Sequence, residues 1–201
     1  MSVLRMILPQ PLQLAALGTV LCLYRSQDLP ALAGWTRATR AEWSAGIDSD
    51  GLRESLWFYD GDNALCWRLY LLPDSDFMAW DQLSLALPTR AEQDAGSGFC
   101  NRLWRRMADQ VRGDIWYGCV LQLHALHGIA GFGSNAQPVL AASLVRPSAV
   151  GVAVARRIAS AAGVNATSFV AGGQRIHAAA TETTVALHAA APISNHATLE
   201  N

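Results

Sequence analysis

Apolar and polar positions alternate most regularly between Leu52 and Leu72, and the rest of the chain is read around that stretch. Alternation with a period of two places successive side chains on opposite faces of an extended strand. Leu52, Leu56 and Phe58 share one parity, with Glu54 as the polar exception, while Arg53, Ser55, Trp57 and Tyr59 share the other. Asp60-Gly61-Asp62-Asn63 supplies a turn, since Gly accepts positive φ and Asp and Asn tolerate turn geometry. A second strand then sets Leu65, Trp67, Leu69 and Leu71 against Cys66, Arg68, Tyr70 and Leu72. Both faces are largely apolar, which predicts a mid-sheet hairpin with cover on both sides. Pro73 ends the strand. Asp74 or Ser75 is expected to cap the helix that follows, and Asp76 to favour its positive end. Phe77, Trp80, Leu83 and Leu87 give that helix one buried stripe.

Upstream, the pattern predicts a short helix over 11–17, stopped at Gly18, and a buried strand through Tyr24. The apolar run from Leu12 imitates a leader segment. Pro9, Gln10, Pro11 and Gln13 interrupt it, however, and no small-x-small cleavage site follows, so a folded N-terminus is expected instead. The run is also too short to cross a bilayer. Gln27 to Gly46 reads as helical, with Leu29, Leu32, Trp35 and Thr36 on one face, Arg37, Arg40 and Glu42 mostly outside, and Trp43 continuing the apolar side. Asp48-Ser49-Asp50-Gly51 is a turn into the hairpin.

Downstream, a polar linker over 88–98 leads to a helix expected from about Phe99 to Val111. There Phe99, Leu103, Met107 and Val111 recur at every fourth position, and Arg102, Arg105, Arg106 and Arg112 line the other side. Asp114 to Leu126 and Leu140 to Val145 read as strands around a glycine-rich loop at 129–136. Pro147-Ser148 opens a helix that Gly163 closes. From Asn165 the chain becomes rich in Ala and Thr, with isolated His177, His188 and His196. The organisation expected is one domain over 1–164 and a mobile tail over 165–201. The fold class expected is α+β, a twisted antiparallel β-sheet with packed helices.

Composition narrows the function. Hydrophobic residues make up 51% of the 201 and charged residues 15%, which describes a globular chain with room for a core. A net charge of −1 gives no basis for a broad nucleic-acid or anionic-membrane surface, so neither partner is expected. The chain has no Lys, which removes Schiff-base chemistry. Cys22, Cys66, Cys100 and Cys119 lack C-x-x-C spacing, so no zinc site is expected; three sit in apolar strand-like runs, as reduced core thiols of a cytoplasmic protein do. No G-x-S-x-G elbow, phosphate loop or H-E-x-x-H occurs.

Ser55-Leu56, Phe58-Tyr59-Asp60, Ala64, Arg68-Leu69-Tyr70-Leu71, Ser75-Asp76, Ala79-Trp80 and Leu83 together resemble the strand–strand–helix signature of the HemS/ChuX haemin-utilisation family. Leu17 to Arg25 is similar to the strand near the start of the family repeat, and Trp116 to His124 resembles its G-C-x-x-x-H type of strand. The clear match covers about a sixth of the chain, and all three stretches about a quarter. The resemblance implies a single-repeat fold of that family and a cytoplasmic haem-binding protein. Such a protein would serve haemin uptake, trafficking or storage by reversible sequestration, as a homodimer. A haem-degrading enzyme is the alternative, and a degenerate member acting as a protein-interaction module is a third; the carrier is preferred. The family's ligands are histidines in segments that this chain does not match, so they are not carried over.

A haem iron takes an imidazole nitrogen, or less often a Tyr, Met or Cys. His124 and His127 are therefore the candidate iron ligands, and their odd spacing sends them to opposite faces of a strand. Arg102, Arg105 and Arg106 are candidates to hold the propionates, although a solvated helix face also accounts for them. Trp57, Trp67 and Tyr70 are candidates to line a porphyrin pocket, although core packing also accounts for them.

Overall fold

Pro11 opens the first helix because the N–H it lacks has no intrahelical partner at that position. In the computed structural model this helix, α1, is Pro11–Ala16, and Gly18, at φ +71°, turns the chain into β1, Thr19–Arg25. The structure describes residues 8–25, 31–48, 51–90, 115–126, 138–164, 169–170 and 176–178. The remaining elements are α2 (Ala33–Arg37), β2 (Arg40–Asp48), β3 (Gly51–Tyr59), β4 (Leu65–Tyr70), α3 (Phe77–Ala86), β5 (Trp116–Leu126), β6 (Val139–Leu144), α4 (Ala149–Ala161), β7 (Phe169–Val170) and β8 (Ile176–Ala178). Six strands lie in the order β2-β3-β4-β1-β5-β6, each antiparallel to its neighbour. Of the short strands after 164, β8 continues the sheet beyond β6, and β7 runs parallel to β5. The architecture is α+β.

The sheet separates two apolar layers, and this is why β1 reads as an unbroken hydrophobic run. Val20, Cys22, Leu56, Phe58, Trp67, Leu69, Leu121 and Leu123 face α1, α2 and α3, meeting Leu14, Leu32, Trp35, Trp80 and Leu83. Leu21, Leu23, Tyr70 and Val120 face the other way, under Ala155, Ile158 and Ala159 of α4.

Local alternation fails at one point. Phe58 opposes Trp67 while Tyr59 opposes Leu65, so Cys66 is the extra residue of a bulge. Cys66 joins the layer of Trp67, donating its thiol to the carbonyls of Gly34 and Phe58 at 3.3 and 3.4 Å, and Leu65 passes to the α4 side.

The helix expected through Gly46 is cut short. Only Ala33–Arg37 is helical there, and Arg40–Asp48 is a strand paired position by position with β3, from Arg40 opposite Tyr59 to Asp48 opposite Gly51. Partners more distant in sequence outweigh the local helical spacing. The caps are also redistributed. Asp76 itself caps α3, accepting from the Ala79 N–H at 2.9 Å. Ser75 is buried, where it accepts from Leu72 N at 2.9 Å and donates to Thr19 O at 2.5 Å. Asp74 reaches α4, accepting from the N–H and hydroxyl of Ser148 at 2.8 and 3.0 Å. Gly151 lies so close to this clasp that a Cβ there would stand 1.9 Å from Asp74 Oδ2. Phe77 is 53% exposed, so the buried stripe of α3 is Trp80, Leu83 and Leu87.

The helix expected at 99–111, the glycine-rich loop at 129–136, His188 and His196 lie outside the described residues. Among the described residues no helix is long and apolar enough to cross a membrane.

Candidate functional site

Beyond α4, the face of β3 that carries Ser55, Trp57 and Tyr59 meets guanidinium groups from three other segments. Trp57 stands between Glu42 of β2 and Arg68 of β4 in the pairing register. The Arg68 guanidinium lies 4.8 Å from the Trp57 ring centre and 4.2 Å from that of Trp116 at the start of β5. Arg90 covers Trp57 at 3.7 Å, and Arg25, at the end of β1, approaches Trp116 at 5.5 Å. Three guanidiniums thus alternate with two indoles in the order Arg90–Trp57–Arg68–Trp116–Arg25. Each contact is worth roughly 0.5–1 kcal/mol where wet and about 2 kcal/mol where desolvated.

Local structure fixes this ladder. Arg90 is delivered by the segment after α3, which runs beside β2: Trp43 N donates to Pro88 O at 3.0 Å and Arg90 N to Trp43 O at 2.7 Å. The Trp57 indole N–H donates to Ser55 Oγ at 2.8 Å, so its polar edge is satisfied within its own strand. Arg68 is less well provided. Its Nη1 donates only a long bond of 3.4 Å to the Tyr70 hydroxyl, and its Nε is buried with no hydrogen-bond partner. Glu42 pairs with Arg40, which lies 3.7 Å over the Tyr59 ring, and Arg40 Nε donates to Asn63 Oδ1 at 2.9 Å.

Burial pushes the Tyr59 phenol above its ordinary 10.0, with Arg90 opposing the shift and Glu42 reinforcing it. Burial does the same to Tyr24, and, joined by Cys119 directly opposite, to the Cys22 thiol. In each case the folded state keeps a proton that the unfolded chain releases at lower pH. Stability is then complete below the unfolded values of about 9 for Cys and 10 for Tyr, and declines as pH rises from there towards the folded values. The urea midpoint is accordingly expected to stay level from pH 7 to about 9 and to fall above it; a midpoint level to pH 11 would contradict the assignment.

The sheet sorts the residues singled out from sequence. Trp57 is in the ladder. Tyr70 shares its face but is buried beneath α4. Trp67 points into the opposite layer, where its indole donates to Ala31 O at 2.8 Å. His124 shares the parity of Trp116 but lies eight residues along β5, roughly 27 Å away. Its Nε2 is 2.9 Å from Ser143 Oγ. Trp57, Arg68 and Tyr70 are brought together; His124 and Trp67 are kept apart from them. His127, Arg102, Arg105 and Arg106 lie outside the described residues.

Arg25, Arg68, Arg90, Trp116 and Tyr59 escaped the sequence reading as site residues. Parity with Trp57 was a signal for Tyr59 alone, because the bulge hides it for Arg68 and the others come from separate segments. Among the described residues no cluster of His, Cys, Asp and Glu is arranged to hold a metal ion. A shallow groove of about 260 Å³ between α1 and α3 is lined by Leu12, Gln13, Ala16, Ala79, Gln82 and Leu83, without a charged group. No protein-family model, curated protein or solved structure matches the chain.

Proposed function

We propose that this chain binds haem and holds it reversibly, as a carrier in haemin uptake, trafficking or storage rather than a haem-degrading enzyme. The observation that carries the reading is the Arg90–Trp57–Arg68–Trp116–Arg25 ladder. A porphyrin is a wide flat ring with two carboxylates. Indoles and guanidiniums in one layer suit the ring, and guanidiniums suit the carboxylates through paired charge-assisted hydrogen bonds. The buried Arg68 Nε, without a partner, is the kind of donor that a bound carboxylate satisfies.

The resemblance gives further support. Its three stretches, far apart in sequence, form β1, the β3–β4 hairpin with α3, and β5, and their strands are consecutive in the sheet as β3-β4-β1-β5. In this reading the protein is cytoplasmic and homodimeric. When bound, haem supplies a redox-active iron, while the chain buries part of the ring and holds its acid groups.

Titrating the purified chain with ferric haemin, followed by difference absorbance, is expected to give a saturating one-to-one Soret shift. Arg68→Ala removes charge-assisted bonds worth about 1.5–3 kcal/mol and is expected to weaken binding roughly 10- to 100-fold. A featureless, non-saturating rise with the unmodified chain would overturn the reading and favour a protein-interaction module.

A further inference from the structure

Two thiols meet across the central strands of the sheet. Cys22 of β1 is the register partner of Cys119 of β5, and both are buried in the layer beneath α1, α2 and α3. The hydrogen bonds on either side of β5 fix the kind of pair. Leu123 N donates to Gly18 O towards β1, and Val145 N to Val120 O from the side of β6. Bonding alternates along a strand, so odd-numbered residues of β5 bond to β1 and even-numbered ones to β6. Cys22 and Cys119 are therefore a hydrogen-bonded pair, whose Cα atoms stand about 5.5 Å apart. That separation is among the commonest across a disulfide, and both side chains leave the sheet on one face. Opposed Cβ atoms stand roughly 4.5–5.5 Å apart, against roughly 3.5–4.5 Å across a disulfide. Closing a bridge thus draws β1 and β5 together by about 1 Å, and the bond formed is a readily reduced one.

We propose that Cys22 and Cys119 are a reversible redox pair: in the folded chain a peroxide joins them as a disulfide that ties β1 to β5, and a thiol reductant reopens it. One thiolate attacks hydrogen peroxide, giving a sulfenic acid and a hydroxide that takes up the proton the thiol released. The second sulfur then displaces the sulfenic hydroxyl, which leaves as water, and the S–S bond forms. The two sulfurs lose two electrons and two protons, and the peroxide becomes two waters. The surroundings favour this product. The pair lies between Val20–Leu121 and Tyr24–Tyr117 along the two strands, and Cys22 opposes Leu69 on β4. Two thiolates would bring charge into that layer, whereas a disulfide is neutral and asks for no hydrogen bond. The Cys22 thiol gives up little, since its bond to Ala31 O is long, at 3.8 Å. Cys66 is badly placed to compete. It lies three positions along β4 from Leu69, roughly 10 Å away, with its thiol turned to the Gly34 and Phe58 carbonyls. Cys100 lies outside the described residues.

The test treats the full chain, reduced and then freed of reductant, with hydrogen peroxide, both in buffer and in enough urea to unfold it. Remaining thiols are alkylated and the chain is mapped by mass spectrometry of its peptides. Cys119→Ala and Cys66→Ala are run in parallel, with circular dichroism to show that each is folded. In buffer the unmodified chain is expected to give one pair of joined peptides, carrying Cys22 and Cys119 and lacking the mass of two hydrogens. Prolonged incubation with reduced glutathione is expected to separate them. The urea midpoint of the bridged chain is expected to exceed that of the reduced chain, because the bridge closes a long loop of the unfolded state. Cys119→Ala is expected to lose both the joined peptides and the rise in midpoint, and Cys66→Ala to keep both. In urea, links that involve Cys66 and Cys100 are expected as well, which would show that strand register selects the pair. The proposal is overturned if the folded, unmodified chain leaves Cys22 and Cys119 unjoined or joins another pair instead. It is overturned equally if the bridged chain has no higher midpoint, or if glutathione leaves the bridge closed.

Discussion

Trp67→Ala is expected to remove about 3–5 kcal/mol of stability. Trp67 is fully buried and central to the layer beneath α2, with its ring 4.9 Å from that of Phe58 and 6.1 Å from that of Trp35. Its indole N–H is also the donor to Ala31 O, at the entrance to α2. Alanine removes both at once. A cavity opens between β4 and α2, and the Ala31 carbonyl keeps only the weak Cys22 thiol donor at 3.8 Å. Small domains are stable by only about 5–15 kcal/mol, so the loss is a large share of the total and is expected to lower the urea midpoint markedly. Trp67→Phe retains much of the ring volume and loses the hydrogen bond, and its expected cost is about 1–3 kcal/mol. Urea unfolding followed by far-ultraviolet circular dichroism measures both; an alanine penalty below that of phenylalanine would show that the site is not packed as described.

Gly34→Ala is expected to cost about 1–3 kcal/mol, although alanine ordinarily favours a helix by about 1 kcal/mol over glycine. The reason is space. A Cβ at position 34 would lie 2.6 Å from the Cys66 carbonyl oxygen and 3.0 Å from Trp67 Cβ. Neither atom belongs to the far end of a flexible side chain. Both belong to β4, which is held between β3 and β1 and has little freedom to retreat. Relief therefore requires α2 to lift from the sheet. The two substitutions share one atom: Trp67→Ala removes Trp67 Cδ1, 3.1 Å from the added methyl, but keeps the Cys66 carbonyl and Trp67 Cβ, which stand closer. In a double-mutant cycle the losses are therefore expected to add to within about 0.5 kcal/mol. A combined loss well below the sum would mean that the Trp67 ring, and not the body of β4, limits the approach at Gly34.

The parts of the fold legible in the sequence were those whose cause is local. The β3–β4 hairpin announces itself by alternation and by Asp60-Gly61-Asp62-Asn63, and α4 by Ser148 at its start and Gly163, at φ +81°, past its end. β2 was misread although it carried a signal: Ala41, Trp43, Ala45 and Ile47 alternate with Arg40, Glu42, Ser44 and Asp48. Two of the four apolar residues are alanines, and Trp43 falls eight residues after Trp35, close enough to helical spacing to extend the wrong element. Pairing with β3 supports the alternation. The bulge at Cys66 leaves no trace in composition, because residues on either side of it remain apolar. The candidate site divides in the same way. Trp57 was visible from its strand, whereas Arg25, Arg68, Arg90 and Trp116 are collected from four segments by strand register. His124 was chosen for its chemistry, but the direction of β5 carries it to the end of the sheet away from the indoles.

Among the described strands β1 comes first in the chain, and it sits in the interior of the sheet. Leu23 opposes Arg68 on one side and Gly118 on the other. At a synthesis rate of roughly 5–20 residues per second, the second partner emerges about 5–20 s after β1 does. Throughout that interval a strand apolar on both faces has an unpaired edge, so the nascent chain carries an aggregation-prone surface for as long as β5 is missing. For the same reason, deleting β1 would not trim an end of the protein: it would divide the sheet between β4 and β5 and leave two half-sheets, each with a newly bare edge.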